Sequence, residues 1–321
     1  MKKALRYLLV TIGIILLLVA IFAAFVAIRG IPHYKAEKIN LQASPTPQRI
    51  AQGEKLASML CRSCHFSENT GKFTGRRLDE IHQFGDIYSK NITKDPNYGI
   101  GKWTDGELAY LLRTGIKPDG TYLPPYMPKL SSLSEEDLYS LIAFLRSDHP
   151  WVQPDDVKQP ASSPSFLTKF LTNIGAMKPF PYPKAPIPGP DTANKAAWGK
   201  YIALSQLDCF SCHSKDFAKN DYYHPENSPG FFGGGNEMYG MDGRKIRSLN
   251  ITMDEETGIG QWTEQEFVTA LRSGILPGSQ PALRLPMIPY ANLTDAEASA
   301  VYTYLKTIPK IHNKVERAPM E

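Results

Sequence analysis

The sequence has little of what marks several large function classes. Basic and acidic residues number 36 and 32, which leaves a formal net charge of +4, and no basic run or stripe stands out. That balance excludes recognition of a nucleic acid through a charged surface. Four cysteines in 321 residues are too few for a secreted disulfide scaffold. Neither a dinucleotide fingerprint nor the Walker phosphate-loop pattern occurs, so nucleotide-dependent chemistry has no sequence device here. Alternating apolar and polar runs, the mark of half-buried strands, are scarce as well.

One long hydrophobic run is present. Tyr7 to Ile28 contains no charged residue and follows Lys2, Lys3 and Arg6. As a helix it spans about 33 Å, enough to cross a hydrocarbon core of about 30 Å. A cleaved signal peptide would have a shorter apolar core of about 7–15 residues and a small-residue cleavage site. Phe25, Val26 and Ala27 do not provide that site. The length therefore favours an uncleaved transmembrane anchor over residues 1–29, followed by a polar connector over 30–47. Arg29, Lys35 and Lys38 lie beyond it, so charge alone does not orient the span.

The remaining chain, of a length that suits about two domains, repeats itself. Asn91-Ile92-Thr93 returns as Asn250-Ile251-Thr252, and Gly99-Ile100-Gly101 as Gly258-Ile259-Gly260. Trp103-Thr104 returns as Trp262-Thr263, and Arg113-Thr114-Gly115-Ile116 as Arg272-Ser273-Gly274-Ile275. Constant order and near-constant offset point to two copies of one domain, over 48–149 and 191–311, with a tail over 312–321. Between them, 150–190 is rich in proline and favours an extended path. It reads as an inter-domain linker, or as a strap packed on both domains through Phe166, Phe170, Phe180 and Tyr182.

Within each copy the pattern is helical. Thr104 with Glu107, and Thr263 with Glu266, form Thr-x-x-Glu capping boxes before apolar residues at helical spacing. Ser134 and Thr294 open a second capped helix at the end of each copy. The expected fold is all-α: two tandem domains behind a single N-terminal transmembrane helix.

The four cysteines form two identical motifs, Cys61-Arg62-Ser63-Cys64-His65 and Cys209-Phe210-Ser211-Cys212-His213. This C-x-x-C-H pattern is the signature of c-type haem attachment. Two cysteines three apart on a helical turn reach the two vinyl groups on one porphyrin edge, and the adjacent histidine points at the iron. A thioredoxin-like pair needs a βαβ setting that is missing. A structural zinc site usually needs four clustered ligands, and each pair here has one neighbouring histidine. Two covalently bound haem c groups are expected, on Cys61 and Cys64 and on Cys209 and Cys212, with His65 and His213 as axial ligands.

The sixth iron position calls for a methionine just before the last helix, since a thioether suits electron transfer and raises the potential. Met127, in Pro124-Pro125-Tyr126-Met127-Pro128, is the one methionine between His65 and the end of the first copy. Met287, in Leu285-Pro286-Met287-Ile288-Pro289, holds the equivalent place in the second, where Met238, Met241 and Met253 compete. Core filling is the usual role of a methionine, and it weighs more heavily on Met287.

Phe84-Gly85-x-Ile87-Tyr88-Ser89-x-Asn91-Ile92-Thr93-x-Asp95, followed by Gly-Ile-Gly-x-Trp-Thr, resembles the cytochrome c domains in the cytochrome subunits of bacterial membrane-bound dehydrogenases, of the alcohol and gluconate type. The resemblance covers both repeats. Those subunits commonly carry three haem domains, whereas two motifs stand here, and their membrane attachment is often placed differently. The resemblance implies an electron carrier without substrate chemistry of its own. Haem of this kind is attached outside the cytoplasm, so both domains are expected in the periplasm, with the anchor in the inner membrane. Expected partners are the membrane and redox proteins: a dehydrogenase, a quinol-oxidising complex, an oxidase or a soluble cytochrome. The alternatives are a dihaem peroxidase, which needs an open haem, and a haem-based redox or gas sensor.

Three features stay open. Arg113 and Arg272 read either as partners of haem propionates or as solvated helix-end arginines. Asn-Ile-Thr reads as a loop over the haem edge, and Trp103 and Trp262 as core residues. The second copy also carries an insertion, roughly 214–248, which reads as a docking surface, a haem lid or a plain loop.

Overall fold

Helix α1 (Lys2–Arg29) is the long apolar run, and Lys3–Arg29 is long and apolar enough to cross a membrane. The computed structural model describes residues 2–240, 243–278 and 280–316. Gly30, with φ +71°, ends α1, and its N–H bonds the Val26 carbonyl at 3.1 Å.

Each repeat is built on one crossed helix pair. In the first, α2 (Pro47–Leu60) starts on the Thr46 hydroxyl with Pro47 at its first position, and packs on α5 (Glu135–Arg146). The crossing sits at Gly53, where a Cβ would come within 1.9 Å of the Ser140 carbonyl oxygen. In the second, α7 (Lys195–Tyr201) packs on α10 (Asp295–Leu305), and a Cβ on Gly199 would lie 1.8 Å from the Ala300 oxygen. Both glycines serve close backbone approach, since any side chain would push the helices apart. A π-helical turn, Ile202–Gln206, continues α7 where α2 is regular.

Short helices α3 (Arg62–His65) and α8 (Cys209–His213) carry the cysteine motifs. Helices α4 (Asp105–Thr114) and α9 (Glu264–Ser273) open on the two expected capping boxes and close on left-handed Gly115 and Gly274. Helix α10 has a third capping box, Thr294 with Glu297.

The chain is mostly helical, and the all-α expectation needs one amendment. β1 (Gly85–Asp86) pairs antiparallel with β2 (Ser163–Pro164), and β3 (Glu237–Tyr239) with β4 (Lys245–Arg247). These pairs are too short to leave an alternating pattern in the sequence.

Residues 150–190 run as a strap on the first repeat. Val152 is fully buried, its carbonyl accepts from the Lys94 N–H at 2.9 Å, and Trp151 packs on Phe73. Helix α6 (Phe166–Asn173) follows β2. The Phe180 N–H then bonds the Thr114 carbonyl, Tyr182 stacks on Tyr110, and the Ile187 carbonyl accepts from Glu135. Extended, proline-rich backbone makes few bonds with itself, so its polar groups are met by the domain it crosses.

The two repeats share one continuous apolar core. Across their junction the Asp137 carboxylate accepts from Tyr201 Oη at 2.5 Å, Gln206 Nε2 at 2.7 Å and Gln52 Nε2 at 2.9 Å. Lys55 and Glu297 pair beside it. A buried carboxylate with three donors fixes a register that apolar packing alone would leave loose.

The extra residues of the second repeat occupy a narrower place than 214–248. Phe73 follows His65 by eight residues and Phe232 follows His213 by nineteen, while Gly75, Ser89 and Asn91 match Gly234, Ser248 and Asn250 at one offset. The insertion is thus eleven residues within 215–231. It folds inward: Tyr222 packs edge-on against both Phe210 and the strap residue Phe180. This contact makes the insertion a clasp between the second repeat and the strap, a structural role that the plain-loop reading comes nearest to.

Candidate functional site

The cysteine motifs sit at helix ends that fix their spacing. In the first, the His65 N–H bonds the Cys61 carbonyl at 2.8 Å, which closes a helical turn and sets Cys61 and Cys64 on one side of it. None of the four cysteines is in a disulfide, and none is fully enclosed. Burial pushes Cys61 up to about 12, helped by Cys64, and Cys209 up to about 12, helped by Asp208 and Cys212. Cys212 rises to about 11, again through burial first. Burial thus disfavours the thiolate at these positions, the opposite of the environment that activates a nucleophilic cysteine.

Each histidine is oriented by a backbone carbonyl. His65 Nδ1 lies 2.7 Å from the Lys90 oxygen, and His213 Nδ1 2.8 Å from the Leu249 oxygen. A carbonyl only accepts, so the proton is on Nδ1 and the Nε2 lone pair is left for a metal. Burial lowers both histidine pKa values and keeps the rings neutral.

The accepting carbonyls are themselves held. Lys90 and Leu249 precede the repeated Asn-Ile-Thr blocks. Asn91 Oδ1 accepts from the Thr93 N–H at 2.9 Å, and its amide donates to the Asp155 and Val157 carbonyls at 2.8 and 3.0 Å. Asn250 does the same with Thr252 at 2.9 Å and with the Ile311 carbonyl at 2.7 Å. In both repeats the chain leaving the last helix thus ties down the loop that aims the histidine. Gly75 and Gly234 complete it, bonding the His65 and His213 carbonyls at 2.9 and 2.6 Å. With φ +70°, a Cβ on Gly234 would come within 2.5 Å of the Leu249 carbonyl carbon.

Met127 and Met287 stand in matching loops packed against the core. The Met127 N–H bonds the Pro124 carbonyl at 3.1 Å, and the Met287 N–H the Arg284 carbonyl at 3.0 Å. Three residues on, Leu130 bonds Leu112 in α4 and Tyr290 bonds Leu271 in α9, both at 2.8 Å. Burial, with smaller contributions from Cys209, Cys212 and Asp208, raises the pKa of Tyr290, three residues after Met287. Of the competitors, Met253 is buried in the core, Met238 lies in β3, and Met241 is outside the described residues.

The repeated arginines part ways: Arg113 has a use that neither open reading anticipated, whereas Arg272 stays close to the reading of a solvated helix-end arginine. Arg113 is 1% exposed and donates through Nη1 to the carbonyls of Leu130, at 2.8 Å, and of Ser131 and Leu133. It clamps the segment between Met127 and α5. Arg272 reaches the Ala291 carbonyl at 3.4 Å and pairs with Asp295 at the start of α10. Only the first loop has Lys129, whose ammonium donates to the Met127 carbonyl and, at 3.1 Å, to that of Pro124; Pro289 stands at the matching place.

Asp208 caps α8 with φ +50°, and burial pushes its carboxyl from 3.8 up to about 7, against a smaller opposing bond from Ser211. Between those values the folded chain binds the proton that the unfolded chain has lost, so stability falls as pH rises from about 4 to about 7. Asp208→Asn keeps the shape and tolerates this backbone. It should leave stability at pH 4 nearly unchanged and raise it at pH 8, by at most about 4 kcal/mol at about 1.4 per pH unit. Urea unfolding at the two pH values checks this, and an equal change at both would refute it.

Residues 48–145 match the family model described as cytochrome c oxidase, cbb3-type, subunit III. Residues 48–145 are a cytochrome c domain. Among curated proteins, the chain resembles the cytochrome c subunit of a quinone-dependent alcohol dehydrogenase of Gluconacetobacter polyoxogenes, 31% identical over 78% of this chain and 54% of the relative. It also resembles the fructose dehydrogenase cytochrome subunit of Gluconobacter japonicus, 29% identical over 84% of this chain and 56% of the relative. The chain thus spans about half the length of these dehydrogenase subunits. A dihaem c-type cytochrome of Cereibacter sphaeroides is 26% identical over 78% of this chain and 82% of its own length.

A cytochrome c domain implies haem c, and the donor set suits it: two cysteines one turn apart, outside any disulfide, and an imidazole whose Nδ1 bond to a carbonyl leaves Nε2 as the acceptor.

Proposed function

We propose that the chain is a membrane-anchored dihaem cytochrome c that passes electrons from a dehydrogenase or quinol-oxidising complex to a later acceptor in a periplasmic respiratory chain. On this reading 48–149 and 191–311 are two cytochrome c domains, joined by the strap over 150–190. Residues 1–29 hold them at the inner membrane through the connector 30–47, and 312–321 is a tail. The observation that carries it is the duplicated ligand support: the same Nδ1-to-carbonyl bond, the same Asn-Thr brace and the same capped methionine loop occur twice.

Haem c, held on Cys61 and Cys64 and on Cys209 and Cys212, supplies an iron that alternates between ferric and ferrous. The chain's residues do the rest. His65 and His213 present a neutral Nε2, fixed in tautomer and direction by Lys90 and Leu249. Met127 and Met287 are the residues that would offer the iron a thioether, a ligand that would favour the ferrous state and close the site to an exogenous one. Prolines on either side of each methionine, and Arg113 in the first repeat, restrain these loops, which would keep reorganisation on electron transfer small. A closed site of this kind transfers electrons and does not bind peroxide or gas, so the reading names no catalytic residue.

Membranes of the producing cell give the test. Ethanol, fructose or gluconate, added singly, should reduce both haems within seconds, and deletion of the chain should abolish the oxygen uptake that the substrate supports. If ascorbate reduces the haems and none of the substrates does, the dehydrogenase pairing fails.

A further inference from the structure

Helix α6 is amphipathic in the wrong sense for a soluble domain. Thr168 and Thr172, at 1% and 2% exposure, face the protein, while Phe166, Leu167 and, at the C-cap, Ile174 are half exposed. Thr168 Oγ1 donates to the Phe84 carbonyl at 3.1 Å, which anchors the polar side. A surface helix of a soluble domain ordinarily buries its large apolar residues and exposes its hydroxyls.

The neighbour of α6 explains the inversion. Phe170 meets Phe22 of α1 edge-on at 6.1 Å, Arg29 Nη1 donates to Asn173 Oδ1 at 3.0 Å, and Asn173 Nδ2 donates to the Gly30 carbonyl at 2.8 Å. Helix α6 therefore lies against the last two turns of α1. A hydrocarbon core takes up about 20 helical residues, so these turns fall at one face of the bilayer. A face continuous with the flank of α1 meets whatever α1 meets there. Arg29, over the Phe25 ring at 5.6 Å, and Lys169 on α6 supply cations at the depth of lipid phosphates.

We propose that α6 is an interfacial helix that beds Phe166, Leu167 and Ile174 into the leaflet beside α1, and so seats the first repeat on the membrane surface. This rests on the reading of α1 as a membrane-spanning anchor. Its partner is lipid, with acyl chains under the apolar residues and headgroup phosphates at the two cations.

Photolabelling of the full holoprotein tests it. The protein is placed in nanodiscs of phosphatidylcholine and phosphatidylglycerol doped with a phosphatidylcholine bearing an acyl-chain diazirine, and labelled peptides are mapped by mass spectrometry. Label is expected on α1 and on residues 166–174. The double variant Leu167→Glu/Ile174→Glu, made at exposed positions, should lose most of the α6 label while keeping that on α1 and the haem content. Label on α1 alone would overturn the proposal and leave the anchor standing, with a protein partner as the occupant of this face. So would α6 label that persists in the double variant. Absence of label on α1 would instead remove the anchor reading, and the proposal with it.

Discussion

Met127→Leu and Met287→Leu should each leave both haems covalently attached while opening one of the two irons. Leucine matches methionine in volume, so the loop should lose less than about 1.5 kcal/mol of packing. What it removes is the thioether. The thioether-to-iron band at the red end of the oxidised spectrum should fall by half in each single variant and vanish in the double. One haem equivalent should bind carbon monoxide, and its midpoint potential should fall by on the order of 0.1–0.3 V, within the roughly 0.8 V that axial ligands span. The Met287 variant decides more, because Met238, Met241 and Met253 also follow His213. Met253→Leu serves as the control: if it opens the second haem and Met287→Leu does not, the repeat has misassigned the ligand.

Arg113→Ala and Arg272→Ala should differ sharply, although the residues are repeat equivalents. The Arg113 side chain is 1% exposed and serves the carbonyls of Leu130, Ser131 and Leu133, with Glu135 3.6 Å away. Its removal strands those acceptors and leaves a cavity, a loss of about 3–5 kcal/mol. Arg272 is 35% exposed and its partner Asp295 72% exposed, so an ion pair in water is lost, worth about 0.5–1 kcal/mol. Denaturant unfolding of the two holoproteins measures the difference. Arg113→Ala should also weaken the thioether band of the first haem at neutral pH, because the segment it clamps follows Met127. Equal costs would mean that the clamp has no special weight.

The elements that carry the proposed site were legible in the sequence. The Thr-x-x-Glu boxes form the expected helix starts, and the two C-x-x-C-H segments and the two proline-flanked methionine loops fold alike in both repeats; the ligand roles of those residues belong to the proposed function. The support was harder to read. The carbonyls that aim His65 and His213 belong to Lys90 and Leu249, positions where any side chain serves. The available signal was indirect: the Phe-x-Gly and Ser-x-Asn pairs, Phe73 with Gly75 and Ser89 with Asn91, recur in the second copy at one offset. That offset would also have trimmed the insertion to eleven residues. Gly53 and Gly199 look like weak points in helices until the crossing with α5 and α10 is seen. The path of the strap depends on long-range bonds to the first repeat, and extended proline-rich segments carry no periodicity from which to infer them. The reversed face of α6 was hidden for a related reason: eight residues show amphipathicity without showing which side faces the protein.

Optical spectroscopy of the purified full chain, oxidised and reduced, with and without carbon monoxide, together with a pyridine haemochrome count, tests the central claim most directly. Two covalent haems per chain, a thioether-to-iron band and no spectral shift with carbon monoxide are expected from two closed His/Met sites. A single haem per chain, or a haem that takes up carbon monoxide readily, would contradict it and bring the peroxidase or sensor reading forward.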